Sequence, residues 1–587
     1  MIKKFLYLIQ YSSIILLLFL NSAYSADDTI TGTQTTREDL QVNSTLTIQS
    51  GGSLVNTNLN NIARGYIAAG NEIDNATIVV ESNASIEGKS NAIMGRETNN
   101  LTITNSGTIT VSSSKAINLM DAQNTTITNK KGATISANTN AIVQQSAGNE
   151  NAENVTISNS GTISSVENRS IYFYDGATGT TLTNNSSGVI FNTSDFTTVQ
   201  LDTSSTLTNS GTIENRNGPS NNSITLAGNN NTITLKDGGK IIGTIAAGST
   251  TGNTLKIQHG VGQSYFYETS GNDMTLQDLD GNQIVRGSAS SVGQGGSENI
   301  DELLGYKSMA IRKSLDKYLN SEDFKNKETS WQGLQVSHSE RKENKQKLAL
   351  GYSLNSLAVN ILRPIENKNS FTSLEYSQQD FQKDHSIIRY NLSQGFHFND
   401  EIDNKFFKNT YLLLGATLND SDRKILTNTT SSGTEVLTDM YLSSEIHAGK
   451  KFNSKYNLPQ IGTNFSYSYT PGHSETKFYH WQAKSVANIS LDISDEYVLK
   501  TKNSKFSFGW MLDFRQMING DKQKYKVKTT TATYTQDNKL TNEASFLANL
   551  NYEKNLNIGK ILLSLDGLQS TQEVTTFSGN IFYIIKI

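Results

Sequence analysis

Apolar and polar residues alternate along the C-terminal half of the chain, most clearly between Lys505 and Arg515. Side chains of a strand point to opposite faces in turn, so one face receives Phe506, Phe508, Trp510, Leu512 and Phe514. The other face receives Lys505, Ser507, Gly509, Met511, Asp513 and Arg515. The pattern recurs at Ile388, Tyr390 and Leu392, at Phe465, Tyr467 and Tyr469, and at Phe546, Ala548, Leu550 and Tyr552. Strands of about ten residues with one apolar face are typical of a barrel in lipid.

Alternating segments continue from Trp331 to Ile587 and predict a transmembrane β-barrel of about 12 strands over residues 321–587. Bacterial single-chain barrels have even numbers of strands, so among thirteen candidate segments either one boundary is wrong or one segment is not a strand. We expect loops at Asn419–Glu435 and Met517–Lys524, and aromatic girdles that include Trp331, Trp481 and Trp510. The segments are 331–340, 346–363, 370–380, 385–398, 405–419, 436–451, 459–470, 477–493, 503–515, 522–535, 540–553, 556–566 and 575–587.

The N-terminal half repeats a short unit. Ile103–Ile109, Ile157–Ile163 and Leu207–Ile213 each carry Asn-Ser-Gly-Thr-Ile, and looser copies begin at Ile127 and Leu182. The same register suggests further copies at Ile48, Ile78, Ile233 and Ile257, with starts roughly 24 to 30 residues apart, as in solenoid repeats. Asn and Gly favour turns with positive φ, so we expect such a turn at Asn-Ser-Gly.

A second element follows in several copies, as in Ala116–Asp121, Ala141–Val143 and Ser170–Asp175. Each repeat is therefore predicted to consist of three short strands joined by turns, with its Ile and Leu side chains stacked in an interior that all repeats share. About nine such coils make a rod of roughly 40 Å. We therefore predict a parallel β-solenoid from Ala26 to about Asn282 within a domain of residues 26–297, with a β-sandwich as the alternative.

Helical spacing of apolar residues appears between Glu298 and Asn320, with Lys and Arg concentrated late in the segment. A Gly/Ser run at Gly287–Ser297 precedes it and has the composition of a linker. The apolar positions are Ile300, Leu303, Leu304, Met309, Ile311, Leu315 and Leu319. We predict a linking helix over residues 298–320, between the repeats and the barrel.

The N-terminus has the features of a secretion signal. Lys3 and Lys4 precede an apolar run, and Ala23 and Ser25 provide small residues at −3 and −1 of a cleavage site before Ala26. The alternative is a membrane anchor, but the unbroken apolar run Ile14–Leu20 is too short to span a bilayer. We assign residues 1–25 to a signal peptide.

Composition narrows the fold and the chemistry. The 587 residues include no Cys, which excludes disulfides, thiolate metal sites and Cys nucleophiles. Only 4 Pro but 44 Gly occur, as expected for an all-β chain of many short strands. The net charge of −4 implies no strong attraction to nucleic acid.

Candidate catalytic and metal-binding residues are few in the repeats. His259 is the one His between Ala26 and Ser297, and we interpret it as a loop residue rather than a general base. Asp121, Asp175 and Asp202 follow strands without the nine-residue Gly-Asp pattern of calcium rolls, so we place them at solvated turns. Asn105, Asn159 and Asn209 are predicted to form an internal ladder that satisfies backbone groups. We expect no catalytic, cofactor or metal site.

Two aromatic clusters are candidates for contact with a partner or a sugar ring: Ile171–Tyr174 and Tyr265–Tyr267. The alternative for both is packing of strand faces under a loop. A Ser-Lys dyad in the repeats also stays open, because Ser and Lys are both present.

The order of signal peptide, Asn-Ser-Gly-Thr-Ile solenoid, linking helix and C-terminal barrel resembles the monomeric autotransporters of type V secretion, over the whole chain. The resemblance implies a monomeric twelve-stranded barrel in the outer membrane of a Gram-negative bacterium, with residues 298–320 in its pore and the solenoid "passenger" at the cell surface. Its implied partners are outer-membrane lipid, the assembly machinery and a ligand on a host or neighbouring cell.

The sequence departs from this family in two places. The chain ends at Ile587 where members usually end in an aromatic residue, although Gly579 and Phe582 fit part of that signal, and we expect less efficient assembly. The Asn-Asn pair at which some members cleave themselves within the helix is absent.

Three functions follow from the sequence. The first is an autotransporter whose solenoid mediates adhesion or cell–cell contact, with no enzymatic activity. The second is a secreted hydrolase, which a serine-reactive probe would label. The third is a structural rod without a ligand. The choice of adhesion comes from architecture and from the missing catalytic set.

Overall fold

The computed structural model describes residues 27–56, 61–64, 73–146, 152–174, 176–285, 289–291, 297–319, 329–365, 368–401, 406–454, 459–527 and 532–586. The predicted signal peptide and Asn320 lie outside these residues, as does most of the predicted Gly/Ser linker. The chain divides into two compact units. The solenoid unit runs to Gly260 and includes Phe266–Leu279 and Leu426–Glu435. The barrel unit contains Val261–Tyr265, Asp280–Ile425 and Val436–Ile587.

Three parallel sheets form the solenoid, and they have eleven, nine and ten strands among the described residues. The first sheet consists of Asp28–Ile30, Thr45–Ile48, Thr77–Val80, Thr102–Asn105, Thr126–Asn129, Thr156–Asn159, Thr181–Asn184, Thr206–Asn209, Thr232–Lys236, Thr254–Gln258 and Thr275–Asp278. The second consists of Thr33–Gln34, Ser53–Asn56, Ser85–Gly88, Thr108–Val111, Thr134–Ala137, Thr162–Ser165, Val189–Asn192, Thr212–Asn215 and Lys240–Ile242. The third consists of Glu38–Asp39, Asn61–Arg64, Asn91–Arg96, Lys115–Met120, Ile142–Gln145, Ile171–Tyr174, Val199–Leu201, Asn222–Leu226, Thr244–Ala246 and Thr269–Ser270.

Short strands accompany these sheets. Ile73–Asp74 and Thr98–Asn99 pair with each other. Ser264–Tyr267 lies between Thr254–Gln258 and Thr269–Ser270 in the chain, and Ile284–Val285 and Ala289–Ser291 follow the last solenoid strand. The parallel stacking confirms the predicted solenoid and excludes the β-sandwich alternative.

Stacked aliphatic side chains fill the solenoid interior in the predicted way. Ile78, Ile103, Ile127, Ile157 and Leu182 are register partners in turn, and each is fully buried. The predicted register is wrong in the two outer copies. Leu46 pairs with Ile78 and Leu255 pairs with Ile233, so Ile48 and Ile257 lie two residues further along. A shift by two leaves the same face buried, so hydrophobicity alone does not distinguish the two registers.

The predicted Asn ladder is present inside the solenoid. The Nδ2 atom of Asn105 donates to Oδ1 of Asn129 at 2.9 Å, and Asn129, Asn159 and Asn184 each donate to the next Asn at 2.8 Å, ending at Asn209. All five side chains are fully buried. Nδ2 of Asn105 and of Asn129 also donates to a carbonyl of the next coil, so the ladder satisfies backbone acceptors that the interior would leave without water.

The prediction of positive φ at the Asn-Ser-Gly turns is wrong. Among the described residues with positive φ, neither Gly107 nor Gly161 appears, and glycine is required there for another reason. A Cβ atom at Gly107 or Gly161 would collide with carbonyl oxygens of the preceding coil. Positive φ occurs instead at a different corner, at Asn75, Asn100, Asn124 and Asn154 in successive coils among others, where Asn tolerates the left-handed region.

The barrel unit contains twelve long antiparallel strands among the described residues, and they form a closed ring. They are β1 (Thr329–Arg341), β2 (Tyr352–Ile365), β3 (Lys368–Phe381), β4 (His385–Glu401), β5 (Phe406–Thr427), β6 (Thr434–Ser454), β7 (Gln460–Thr470), β8 (Lys484–Lys500), β9 (Ser504–Asn519), β10 (Asn542–Leu556), β11 (Gly559–Ser570) and β12 (Val574–Lys586). Each strand pairs with its neighbours in sequence, and the pairing of β1 with β12 closes the ring. The predicted fold class, a β-solenoid followed by a helix and a 12-strand barrel, is confirmed.

The thirteenth candidate segment, 522–535, is not a barrel strand. It forms Lys522–Val527 and Thr533–Asp537, which join His473–Ser474 and Tyr479–Trp481 in a separate four-stranded sheet. Buried aromatic rings hold this small sheet together, with Tyr479 and Tyr525 in an edge-on contact at 6.2 Å. The alternation in 522–535 therefore arises because one face of these strands is buried in the small sheet, and not because one face contacts lipid.

Two predicted loops are shorter than expected. β5 continues through Asn419 to Thr427, and β9 continues through Met517 to Asn519. Polar residues such as Asn419 are buried on the inside of the barrel, where a polar face is compatible with a strand.

The two faces of β9 are those predicted. Phe506, Phe508 and Phe514 are 44%, 46% and 49% exposed on the outside, whereas Ser507 and Asp513 are buried inside. The girdle prediction fails for two Trp residues. Trp331 is buried against Phe582, and Trp481 is buried in the small sheet.

Replacement of one ladder residue should destabilise the solenoid. Asn159→Ala leaves the Asn129 amide N–H without this acceptor and Oδ1 of Asn184 without this donor, and it should lower the free energy of unfolding by about 1–3 kcal/mol. The urea midpoint of the solenoid in the full chain, followed by pulse proteolysis, measures the change. Asn185→Ala is the matched control, because its amide bonds Ser158 and Ser160 on the half-buried outer side. Equal losses in the two variants would contradict a stabilising role for the ladder.

Candidate functional site: a barrel lumen filled by a helix

One helix, α1 (Ser297–Leu319), is present in the described part of the chain, and it lies inside the barrel. Its bounds are one residue earlier at each end than the predicted 298–320. No helix among the described residues is long and apolar enough to cross a membrane. Side chains of α1 reach the inner faces of strands around the ring, so the lumen and its helix form one packed structure.

Apolar contacts fix the direction in which α1 runs. Near its start, Leu303 packs against Leu350, Tyr352 and Phe381, where β2 begins and β3 ends. Near its end, Ile311 and Leu315 pack in a buried cluster where β1 begins and β12 ends. The other members of that cluster are Trp331, Leu362, Phe371, Tyr411, Leu413, Leu562, Phe582 and Ile584. Phe582 therefore faces the lumen, and the side chain of Ile587 lies outside the described residues.

The two mouths of the barrel have connections of different length. At the mouth where α1 begins, the strands are joined by 342–351, 382–384, 428–433, 471–483, 520–541 and 571–573. At the mouth where α1 ends, the connections are 366–367, 402–405, 455–459, 501–503 and 557–558. Outer-membrane barrels have short periplasmic turns and longer extracellular loops. The first mouth has the long connections and the small four-stranded sheet.

A buried guanidinium anchors the middle of α1. Nη1 of Arg312 lies 2.6 Å from Asp492 on β8, and its Nη2 lies 2.7 Å from Asp513 on β9. The three side chains are between 2% and 7% exposed. Lys313, the next residue, pairs with Asp566 on β11 at 2.7 Å. Charges removed from water require partners of this kind, so the pairs hold the helix in one position.

A second charged network surrounds the start of α1. Glu302 accepts from Arg341 on β1 at 2.6 Å, and Nη1 of Arg515 on β9 donates to the Glu302 carbonyl at 2.9 Å. Arg515 also pairs with Glu543 on β10, which in turn accepts from the Tyr306 hydroxyl. On the other side of the lumen, Lys307 pairs with Glu445 on β6.

Gly305 explains how Arg515 comes so close to the helix. A Cβ atom at this position would overlap the Arg515 guanidinium. The glycine therefore serves a close approach, which is the usual reason for glycine where a side chain meets backbone.

Beside α1 a cavity remains, lined mainly by small polar side chains of β1 to β6. Ser337, Ser356, Ser373, Asn391 and Thr417 are examples. Both walls thus hold the helix through ion pairs, the wall at β8 to β11 through Asp492, Asp513 and Asp566, and the more hydroxyl-rich wall at β1 to β6 through Arg341 and Glu445. The arrangement occupies the lumen and fixes α1 to the wall.

The candidate general base of the solenoid, His259, has a structural role. His259 is buried: its Nδ1 accepts from the Gly238 N–H at 3.1 Å, and its Nε2 bonds the Tyr267 hydroxyl at 2.8 Å. Burial raises the pKa of Tyr267 well above its usual range. Both ring nitrogens are thus used in structural bonds, and His259 lies in the loop that follows the strand Thr254–Gln258, as predicted.

The predicted positions of the Asp residues are only partly right. Asp121 is 3% exposed, so it does not end its strand at a solvated turn. Asp202 caps backbone groups, with Oδ1 accepting from the Thr203 N–H at 2.8 Å and Oδ2 from the Gly176 N–H at 3.0 Å. Asp175 lies outside the described residues. In the part of the chain that the structure describes, no group of three His, Asp or Glu side chains is arranged to hold a metal ion.

The aromatic clusters differ from each other. Tyr265, Phe266 and Tyr267 are all buried, which supports packing for that cluster. In Ile171–Tyr174 only the alternate residues Ile171 and Phe173 are fully buried, and the Tyr172 and Tyr174 rings stack at 4.1 Å on the half-buried outer side.

Sequence reasoning missed the charged residues that hold α1, such as Asp492, Glu543 and Asp566. A signal was present, because Asp513 and Arg515 lie on the polar face of the strand pattern. A charge on the inner face of a barrel strand requires a partner in the lumen, and the predicted helix was available as that partner.

A comparison with models of protein families finds no match, and a search of curated proteins finds none either. Among solved structures, the translocator domain of autotransporter NalP from Neisseria meningitidis is similar at 9% identity and a TM-score of 0.37, over 49% of this chain and 97% of that one. The transport unit of autotransporter AIDA-I from Escherichia coli is similar at 11% identity and a TM-score of 0.30, over 48% and 98%. The beta domain of the Bordetella autotransporter Brka is similar at 10% identity and a TM-score of 0.31, over 44% and 98%. The assignment of this barrel to a membrane rests on its own closed ring, apolar exterior and polar lumen.

Loss of the Arg312 guanidinium should loosen α1. Arg312→Ala leaves the Asp492 and Asp513 carboxylates buried without the cation that pairs with them, at a cost of about 3–5 kcal/mol. A single Cys introduced at the buried Ser308 reports the loosening, since the chain has no other Cys. Its rate of reaction with a water-soluble maleimide should rise at least about tenfold.

The control adds Asp492→Asn and Asp513→Asn to Arg312→Ala. Removal of the unpaired charges should restore most of the protection at Ser308→Cys. An unchanged rate in the Arg312→Ala variant would contradict the proposed anchoring of the helix.

Proposed function

We propose that the chain is an outer-membrane autotransporter that exports its own β-solenoid, displays it at the cell surface and uses it for adhesion or cell–cell contact. The observation that carries this proposal is the direction of α1 within the barrel. The helix starts at the mouth with the long connections, which is the extracellular side in outer-membrane barrels. The solenoid precedes α1 in the chain, so its connection leaves the barrel on that side.

Three further features support export. The predicted signal peptide would deliver the chain across the inner membrane. The closed ring has no free edge in lipid, and its exposed aromatic and aliphatic side chains match a hydrocarbon environment. The ion pairs between α1 and the wall would keep the solenoid attached to the cell after its passage.

Adhesion fits the outer surface of the solenoid. Its coils carry repeated Thr, Ser and Asn side chains on a long continuous face, as solenoids that bind extended partners do. His259, the residue on which a His-dependent hydrolase would depend, has both ring nitrogens in structural hydrogen bonds. The partners proposed are outer-membrane lipid, the assembly machinery and a ligand on another cell, with a monomeric barrel.

Protease added to intact cells tests the topology. The solenoid should be digested, and a fragment that contains α1 and the barrel should stay in the membrane, because closed barrels have no exposed edges. Immunoblots against each part follow the two products, with a periplasmic protein as the control for intact cells. Survival of the solenoid while another surface protein is digested would contradict export. Adherence of cells with and without residues 26–297 then tests the role in adhesion.

A further inference from the structure

One corner of the solenoid differs from the rest of its Thr-, Ser- and Asn-rich surface. The turns between the second and third sheets in three successive coils carry two Arg and two exposed large apolar side chains. Val166 is 56% exposed and Phe196 is 47% exposed, and Tyr172 and Phe191 are half-buried nearby. We call the group of Arg169, Tyr172 and Phe196 the Arg169 corner.

The charge of Arg169 has no acidic partner within the described residues. Its guanidinium lies over the Tyr172 ring at 4.4 Å and over the Phe196 ring at 5.1 Å from the centroids. Nη1 donates to Oδ1 of Asn168 at 3.0 Å, and the buried Nε has no hydrogen-bond acceptor. Two neighbouring carboxylates, Glu167 and Asp195, are exposed, and Asp195 accepts from the Asn217 amide.

Arg216, one coil further on, provides a contrast. Its guanidinium also covers an aromatic ring, that of Phe191 at 3.4 Å, but Glu214 pairs with its Nε at 3.0 Å. The solenoid thus contains one stacked Arg whose charge is neutralised and one whose charge is available. Only the second can attract an anion from solution.

Partly buried hydrogen bonds order the backbone of the Arg169 corner. The Phe196 carbonyl accepts from the Asn192 amide at 2.6 Å and from the Asn215 amide at 2.8 Å. The Asn168 carbonyl accepts from the Ser165 hydroxyl at 2.6 Å. A site ordered before binding loses less conformational entropy when a ligand arrives.

We propose that the Arg169 corner binds a saccharide that carries a carboxylate, which names a ligand class for the adhesin proposed above and rests on that proposal for its biological role. The planar guanidinium matches a carboxylate in two-point contact. The exposed ring of Phe196 offers an apolar surface on which the C–H face of a sugar ring can lie. The exposed hydroxyl of Thr193 on the neighbouring turn can accept a hydrogen bond from a sugar hydroxyl.

Titration of the purified full mature chain in detergent micelles with 3′-sialyllactose tests the site, with lactose as the matched neutral sugar. Calorimetry should show binding of sialyllactose at least tenfold tighter than binding of lactose. Arg169→Gln should weaken sialyllactose binding at least tenfold, and Phe196→Ala should weaken it severalfold. Arg216→Gln is the control and should change binding less than twofold, because its charge is already paired.

Several outcomes would overturn the proposal: no binding of sialyllactose, equal binding of lactose, or an equal loss in Arg216→Gln and Arg169→Gln. Equal binding of hexaglutamate would also overturn it, because charge alone would then explain the attraction. Unchanged protease resistance of the solenoid in each variant shows that the fold is intact. The measurement uses purified protein, so a failure of cell adherence alongside sialyllactose binding would reject the surface role and leave the site standing.

Discussion

The need to pair every backbone N–H and C=O group in hydrocarbon is the constraint on which the barrel unit depends. Twelve strands meet it by closing into a ring, and the seam between β1 and β12 joins the two ends of the barrel sequence along thirteen paired positions, from Thr329 with Lys586 to Arg341 with Val574. Once the ring is closed, each strand has one face in lipid and one in the lumen. Phe508 and Leu512 on the outside and Ser507 and Asp513 on the inside of β9 follow from that division.

Closure also determines what the lumen contains. An interior wall that carries Asp492, Asp513 and Asp566 needs positive charge close by, and Arg312 and Lys313 of α1 provide it. The same helix supplies apolar residues to a cluster with Trp331 and Phe582 near the short connections. Contact with lipid on the outside thus fixes the position of the barrel in the membrane, and ion pairs on the inside fix the position of its helix. In the sequence, the helix connects the solenoid to the barrel.

The sequence predicted the fold class well because periodicity is a local property. A period of two in the barrel and a repeat of 24 to 30 residues in the solenoid depend on which face is buried. The predictions failed where two different structural environments produce the same pattern of apolar and polar residues. Segment 522–535 alternates because it packs in a small sheet, and Ile257 shares the buried face of its true register neighbour Leu255. Several ion pairs of the lumen join residues far apart in the sequence, such as Arg312 with Asp492 and Lys313 with Asp566, and spacing along the chain contains no direct signal for them.

Cross-linking across the seam tests the closed ring most directly, because the chain has no Cys of its own. Ser337 of β1 and Ser578 of β12 are direct partners, so Ser337→Cys with Ser578→Cys should form a disulfide in oxidised membranes. Ser356 lies beside Ser337 but on β2, one strand further from β12, so Ser356→Cys with Ser578→Cys should not. A monomer cross-linked in the first variant and not in the second is the predicted result. No cross-link in the first, or equal cross-linking in both, would contradict the closed barrel.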